Sequence, residues 1–109
     1  MKRGEIWSVA GAGYAGKPRP SVIIQEDRFS HLDSVTILPL TSRDELDDRP
    51  LIEPDVSNGL NVASRAMMDK ITTVAKSKLG AKIGELSDGD MERPETAVLV
   101  FMGIGRRGV

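Results

Sequence analysis

The stretch PSVIIQE, residues 20–26, decides the fold of this chain. Three consecutive β-branched side chains, Val22, Ile23 and Ile24, pack well on a sheet and lose rotamer freedom in a helix. Pro20 stands at the start of the run, where a strand tolerates a residue without a backbone N–H. A short, uninterrupted apolar run of this kind predicts a strand buried near the centre of a sheet.

Strand-like segments continue on both sides of this run. GEIWSVA at 4–10 alternates in the manner of a half-buried strand, and SVTILPL at 34–40 is again rich in β-branched residues. Because Pro39 has no N–H to give to a sheet, we expect that third strand to end there or to lie at an edge. Further strands are predicted within 50–61, at 64–76 as one long or bent strand, and at 82–86.

The C-terminal part of the sequence predicts a helix. Ser87 is a good N-cap, and the acidic residues that follow it suit the positive end of a helix. Pro94 predicts a start or a kink at its position, and AVLVFM at 97–102 predicts a buried terminal helix. Many short strands followed by one helix indicate a mainly β fold, in which a small, strongly bent antiparallel sheet forms a barrel and the helix covers one opening.

Length and composition indicate one ordinary globular domain. The chain has 109 residues, 39% of them hydrophobic and 28% charged, so we expect a single domain over 1–104 and a flexible tail at 105–109. No segment approaches the ~20 apolar residues of a membrane span, and a cytoplasmic location without membrane contact is expected. With a formal net charge of -1, any contact with nucleic acid must use a local basic patch.

The residue inventory excludes several kinds of catalytic site. There is no cysteine and only one histidine, His31, which rules out a Cys/His nucleophile, a histidine-rich metal site and a two-histidine acid–base pair. The acidic run RDELDD at 43–48 offers oxygen ligands to Mg²⁺, but all its carboxylates belong to one loop. We therefore expect neither a metal nor another cofactor.

An arginine is held between two prolines just before the central strand. Pro18 and Pro20 stiffen the backbone around Arg19 and favour extended geometry there. Thr41 and Ser42 follow the neighbouring predicted strand, so their hydroxyls could share a pocket with the guanidinium, as in a receptor for phosphate or carboxylate. A purely structural role, with Arg19 capping a loop and Thr41 capping a turn, is the reading that these residues favour when taken alone.

A resemblance to known sequences favours a functional role for Arg19 and Thr41 over a purely structural one. The segments RGEIWSV at 3–9, GKPRPSVIIQ at 16–25, ILPLTS at 37–42 and MMDKITTVAKSKLGAKIGELSDGDM at 67–91 resemble, in order, the MazF/PemK family of toxin endoribonucleases. The resemblance implies an SH3-like barrel of CcdB/MazF type and a homodimer. It also implies cleavage of single-stranded RNA at short sequence motifs and inhibition by a cognate antitoxin protein.

The same resemblance implies which residues are catalytic. Arg19 matches the family's main catalytic cation, and Thr41 matches its catalytic threonine, with Ser42 beside it. Asp69 matches an acidic residue that some members use in the site, and it is the one carboxylate that we nominate as a base. RNA itself supplies the nucleophile, its 2′-hydroxyl, so the implied products are a 2′,3′-cyclic phosphate and a 5′-hydroxyl end.

The match around Asp69 is incomplete. Some relatives carry an arginine two residues before this acid, where the chain has Met67, and many carry one three residues after it, where the chain has Thr72. Arg65 or Lys70 could substitute for those cations.

Recognition of single-stranded RNA needs flat side chains and cations. Tyr14, in a glycine-rich loop, is the stacking candidate, whereas Trp7 and Phe101 are expected in the core. The candidate contacts to the RNA backbone are Lys17, Arg28, Lys70 and Lys76.

Two other functions remain open from the sequence. A toxin of the CcdB type would have the same fold but would poison DNA gyrase, and relatives of that kind end in a Trp-Gly-Ile motif that FMGIGRRGV at 101–109 lacks. A catalytically inactive module would bind only RNA or an antitoxin peptide.

Overall fold

A computed structural model describes residues 1–11, 17–43 and 46–105 of the chain. The strands are β1 (Glu5–Val9), β2 (Arg19–Ile23), β3 (Ser34–Thr41), β4 (Leu51–Ile52), β5 (Ser64–Ala66), β6 (Thr72–Ala75) and β7 (Leu79–Glu85), and the helix is α1 (Asp88–Met102). Single turns of 3₁₀-helix lie at Asp27–Phe29, Met68–Lys70 and Lys76–Lys78. Most of the expected flexible tail, from residue 106 onward, lies outside the described residues.

The strands form one curled antiparallel sheet. Its order is β4-β5-β3-β2-β1-β7, and β6 pairs with β3 as well. The register places Ile6 of β1 opposite Val22 of β2, and Val22 opposite Leu38 of β3. Because β3 pairs with β2 on one edge and with both β5 and β6 on the other, the sheet bends around this long strand. The expected mainly β fold with a C-terminal helix is confirmed.

Both faces of the central strand are buried. Val22 belongs to one apolar cluster with Ile6, Leu38 and Met91, whereas the next residue, Ile23, belongs to a second cluster. Successive side chains of a strand point to opposite faces, so an unbroken apolar run serves two cores at once. Val22 is 0% and Ile23 1% exposed, which confirms a buried central strand in this stretch, although β2 ends at Ile23 and not at Glu26.

The expectation that β3 ends at Pro39 or lies at an edge is wrong. The strand continues to Thr41, and Pro39 itself pairs with Ser21 of β2. The Pro39 carbonyl accepts a hydrogen bond from the Met67 backbone N–H at 2.8 Å, on the edge where β6 has already stopped pairing and β5 is about to begin. The missing N–H therefore falls in a gap of the ladder, where a central strand tolerates proline.

The segment 64–76, predicted as one long or bent strand, is bent in the structure. It is divided into β5 and β6 by the 3₁₀ turn at Met68–Lys70, and both strands pair with β3. Asp69 lies within this turn.

The helix begins as predicted but is not buried along its length. The Ser87 hydroxyl caps it by accepting from the Asp90 N–H at 3.1 Å, and α1 runs through Pro94 to a left-handed glycine, Gly103. Its first turns cover the sheet with Met91 and Pro94, but Phe101 is 52% exposed. The expectations of a buried helix and of Phe101 in the core are wrong, because the last turns extend past the sheet.

Trp7 is half-buried and packs against the second cluster, as expected of a core residue. Within the described ranges, no helix has the length and apolar character needed to cross a bilayer.

Candidate active site

Arg19, Thr41 and Ser42 line one pocket of about 340 Å³ at the edge of the sheet. Three segments form its walls, namely residues 17–20, residues 40–43, and residues 60–62 together with Ser64. The structure thus brings together the cation and the two hydroxyls that the sequence singled out.

The strand register explains why these side chains meet. Arg19 opens β2 and pairs with Val9 of β1, so its backbone is fixed within the sheet. Between β2 and β3, Ser21 pairs with Pro39, and extending this antiparallel register by two residues puts Arg19 level with Thr41. The Arg19 Nη1 donates to the Leu40 carbonyl at 3.3 Å, which turns the guanidinium toward the end of β3.

The Thr41 hydroxyl is oriented by the backbone that follows it. Thr41 is 5% exposed, and its Oγ1 accepts a hydrogen bond from the Arg43 N–H at 3.2 Å. A hydroxyl that accepts in this way still has its own hydrogen to donate. Ser42 is exposed beside it. Thr41 therefore caps the turn after β3.

The pocket has a positive charge balance. Lys17 and Arg43 line it along with Arg19, and none of the described residues in its walls is acidic. In the part of the chain that the structure describes, no carboxylate lies within ion-pair distance of Arg19. A chain whose net charge is -1 thus has the local basic patch that binding to a polyanion requires.

Asp69 is not part of this pocket. Its carboxylate accepts two hydrogen bonds from Arg49, Nε to Oδ1 at 2.9 Å and Nη2 to Oδ2 at 2.8 Å. Arg49 is only 8% exposed. The hydrogen bonds from this guanidinium are the main cause that lowers the pKa of the Asp69 carboxyl, against the opposing effect of burial. Arg49 was missed in the sequence, because no spacing rule links an arginine at the end of an acidic run to an acid 20 residues later.

The other predicted contact residues have different positions. Lys17 lies in the pocket, whereas Tyr14 falls outside the described residues. Arg65 pairs with Thr41 through the backbone of β5 and β3, but its Nη1 donates to the Arg49 carbonyl at 2.8 Å. Arg28 lies 4.9 Å from the centre of the neighbouring Phe29 ring. Lys70 and Lys76 do not line the pocket; Lys70 is exposed, and Lys76 donates through its ammonium to the Ser30 carbonyl.

The acidic run at 43–48 contains carboxylates that could act as metal ligands. Among residues 1–11, 17–43 and 46–105, no group of three or more His, Asp or Glu side chains is arranged to hold a metal ion. Asp44 and Glu45 of the run lie outside those ranges.

The fold and the site together define a small, mainly β protein with a curled antiparallel sheet and a cation-lined pocket at its edge. The family described as PemK-like, MazF-like toxin of type II toxin-antitoxin system matches residues 2–102. The chain belongs to this family, and the resemblance seen in its sequence is confirmed.

Individual relatives agree with this assignment. The chain is 48% identical over 109 residues to a Mycolicibacterium smegmatis protein named probable endoribonuclease MazF, a match that covers 95% of this chain and 98% of the relative. Among solved structures it is similar to the Mycobacterium tuberculosis toxin MazF-mt6, with a TM-score of 0.76, 24% identity, and coverage of 92% and 97% of the two chains. It is also similar to an endoribonuclease from a mycobacterial species in complex with its cognate antitoxin, with a TM-score of 0.73, 22% identity, and coverage of 95% and 94%. These structures confirm the MazF-type fold.

Proposed function

We propose that this chain is an endoribonuclease toxin that cleaves single-stranded RNA and is neutralised by a cognate antitoxin. The observation that carries the proposal is the shared pocket of Arg19, Thr41 and Ser42. Membership of the toxin family and the high identity to a protein named as an endoribonuclease support it. The complex of a similar endoribonuclease with its antitoxin supports the same kind of partner.

The reaction is an internal transesterification of the RNA backbone. The 2′-oxygen forms a bond to phosphorus, the bond to the 5′-oxygen breaks, and the 2′-hydroxyl proton is lost while the leaving oxygen gains one. The products are a 2′,3′-cyclic phosphate and a 5′-hydroxyl end. Because the substrate supplies its own nucleophile, the protein needs only to orient the phosphate and to stabilise the charge that develops on it. A metal ion is not required for either task.

Arg19 is suited to the electrostatic part of this reaction. A guanidinium is a cation with five N–H donors, and one donor of Arg19 points to the Leu40 carbonyl. The pentacoordinate phosphorus has more negative charge on its oxygens than the ground state, so donors fixed near it lower the barrier. We assign Arg19 to those oxygens and to the departing 5′-oxygen.

Thr41 and Ser42 provide neutral donors beside this cation. Since the Thr41 Oγ1 already accepts from the Arg43 N–H, its hydrogen is directed to a non-bridging phosphate oxygen. Lys17 and Arg43 bind the neighbouring phosphates of the strand. Tyr14, Arg28 and Lys70 stay predicted RNA contacts beyond the pocket.

The active protein is proposed to be a homodimer that uses the exposed end of α1. Leu99, Val100, Phe101, Met102 and Ile104 are between 47% and 75% exposed, which is unusual for so many neighbouring apolar side chains. A groove of about 720 Å³ runs between this helix and the segment around Pro50. A second copy of the chain, as the resemblance implies, would cover these side chains.

Cleavage of a diverse set of single-stranded RNAs in EDTA tests the proposal. We expect cleavage by the native chain, with cyclic phosphate ends, and no cleavage of the corresponding DNA. Arg19→Ala should cut at least about 100-fold more slowly, the effect of removing one transition-state donor. Lys78→Ala is the control, because it removes an exposed cation that does not line the pocket. Failure of the native chain to cut any RNA would overturn the enzyme proposal and favour an inactive binding module or a gyrase poison.

A further inference from the structure

The segment that connects β3 to β4 begins in the pocket and ends at an ion pair between the buried Arg49 and the half-buried Asp69. Thr41, Ser42 and Arg43, at its start, line the pocket. Residues 44–45 lie outside the described ranges, and the chain resumes at Leu46 before reaching Arg49. The position of this connection therefore affects one wall of the site.

Three interactions hold the far end of the connection. Arg49 makes the bidentate contact to Asp69 in the 3₁₀ turn between β5 and β6. Arg65 of β5 donates from Nη1 to the carbonyls of Arg49, at 2.8 Å, and of Asp47, at 3.4 Å. The Ala66 N–H donates to the Pro50 carbonyl at 2.9 Å. We call the side chains of Arg49, Asp69 and Arg65 the loop clamp.

The clamp is linked directly to the site through β5. Arg65 pairs with Thr41 on one side and with Leu51 on the other, so the same three-residue strand supports both ends of the connection. The pairing of β5 with both β3 and β4 thus places the clamp and the Thr41 backbone at one strand.

The chemistry of the ion pair argues against Asp69 as a proton acceptor. Both of its oxygens accept from a guanidinium that is 8% exposed, and a carboxylate compensated in this way holds a proton poorly. Moving the carboxylate to the pocket would break both of its hydrogen bonds to the nearly buried Arg49 guanidinium.

We propose that Arg49 and Asp69 are positioning residues for RNA cleavage, which fix the β3–β4 connection and thereby the Thr41 and Ser42 wall of the pocket. The catalytic part of this proposal rests on the proposed function, whereas the fixing of the connection does not. A displaced wall would lower the rate of the chemical step, since misplacement of a reacting group by about 1 Å can cost ~100-fold.

The experiment compares Asp69→Asn, Arg49→Lys and the charge-exchanged double variant Arg49→Asp with Asp69→Arg. Asp47→Asn is the matched control, because it removes a carboxylate from the same segment but keeps the carbonyl that Arg65 contacts. For each protein we measure kcat and KM on one RNA across the pH range, and hydrogen exchange of the backbone amides. Arg49→Lys keeps the positive charge but cannot form the bidentate hydrogen bond to Asp69. It therefore tests the role of that geometry even if Asp69→Asn does not fold.

We expect Asp69→Asn to lower kcat about 10- to 100-fold with little change in KM, and to leave the shape of the pH profile unaltered. Exchange should become faster at the Arg43 N–H and within 46–50, but not in β1 and β2. Arg49→Lys should be intermediate, the charge-exchanged variant should recover at least part of the loss, and Asp47→Asn should match the native chain.

Two results would overturn the inference. One is the loss of the acidic limb of the pH profile in Asp69→Asn, that is, of the fall in rate at low pH, which would make Asp69 a general base. The other is unchanged exchange in 42–50 after the ion pair is removed. Hydrogen exchange tests whether the ion pair fixes the connection even if no RNA is cut. A negative exchange result therefore contradicts this inference without contradicting the proposed function.

Discussion

Arg19 lies at the start of β2 and Arg49 lies within the β3–β4 connection, and the two arginines have different neighbours. Arg49 is nearly buried, and its guanidinium donates hydrogen bonds to both carboxylate oxygens of Asp69. Arg19 is half-buried at the start of β2, and among the described residues its guanidinium donates to the Leu40 carbonyl. A neutral carbonyl does not cancel the charge, so Arg19 still attracts an anion. The residue type alone does not separate a structural arginine from a catalytic one.

Thr41 allows a sharp test at the residue scale. Valine has the same shape as threonine, so Thr41→Val removes the hydroxyl from a position that is 5% exposed and leaves the packing nearly unchanged. We expect the cleavage rate to fall about 10- to 100-fold, because a donor to the phosphate is lost. Thr41→Ser keeps the hydroxyl and should stay within a few-fold of the native rate. Kinetics on one RNA, with thermal unfolding to confirm folding, would contradict the assignment if both variants cut equally well.

The meeting of Arg19 and Thr41 could be predicted from the sequence, but the position of Asp69 could not. Arg19 opens one strand and Thr41 closes its neighbour, and an antiparallel hairpin puts such ends side by side. Asp69 depends on where a 3₁₀ turn and an irregular connection meet, and neither follows from periodicity.

At the scale of elements, the positions of the strands were predicted better than the contacts that the elements make with one another. The alternation and β-branching of β1, β2 and β3 result from burial along each strand, which is a local property of the sequence. The tolerance of Pro39 in a central strand depends on a gap between β5 and β6, two elements far along the chain. The exposure of the end of α1 depends on where the sheet stops. The tolerance of Pro39 and the exposure of the helix end are properties of the assembled fold, so they could not be predicted from local sequence patterns.

Glu5 joins β1 to β7 and to the N-terminus, and it predicts acid sensitivity. It is 7% exposed and accepts from the Lys2 N–H at 2.8 Å and the Trp7 indole at 3.0 Å, and its other oxygen lies 3.0 Å from the Lys82 ammonium. Burial alone would raise the pKa of the Glu5 carboxyl, but these contacts outweigh it and lower the pKa from 4.5 to about 2. The folded state thus binds this proton more weakly than the unfolded state does.

The sign of the pH dependence follows from that difference. Stability from Glu5 is fully present above about pH 4.5 and is lost as the pH falls toward about 2. The loss amounts to at most about 3 kcal/mol in the free energy of unfolding. Glu5→Gln should be less stable at neutral pH and should lose less on acidification. Urea unfolding at several pH values measures this, with Glu85→Gln as the control, since Glu85 pairs with Glu5 across the strands but is exposed. Parallel pH curves for Glu5→Gln and the native chain would refute the role of Glu5.

At the scale of the whole molecule, charge and apolar surface are separated. The net charge is only -1, yet the pocket walls collect Lys17, Arg19 and Arg43 without a described acid. Five exposed apolar side chains instead lie close together in sequence at the end of α1, where the groove beside Pro50 lies. Two surfaces of such different character suit two different partners, a polyanion at the pocket and an apolar protein surface at the helix.

The homodimer is the prediction that tests this division. We expect a mass near twice 11.8 kDa by light scattering at micromolar concentration. Val100→Glu places a carboxylate in the proposed interface, and burying an unpaired charge there should weaken association at least about 100-fold. Val56→Glu is the matched control, because Val56 is an exposed valine in the connection between β4 and β5 and does not line the groove. A native mass near 11.8 kDa, or dimers that Val100→Glu leaves as stable as Val56→Glu does, would show that the end of α1 is not the dimer interface.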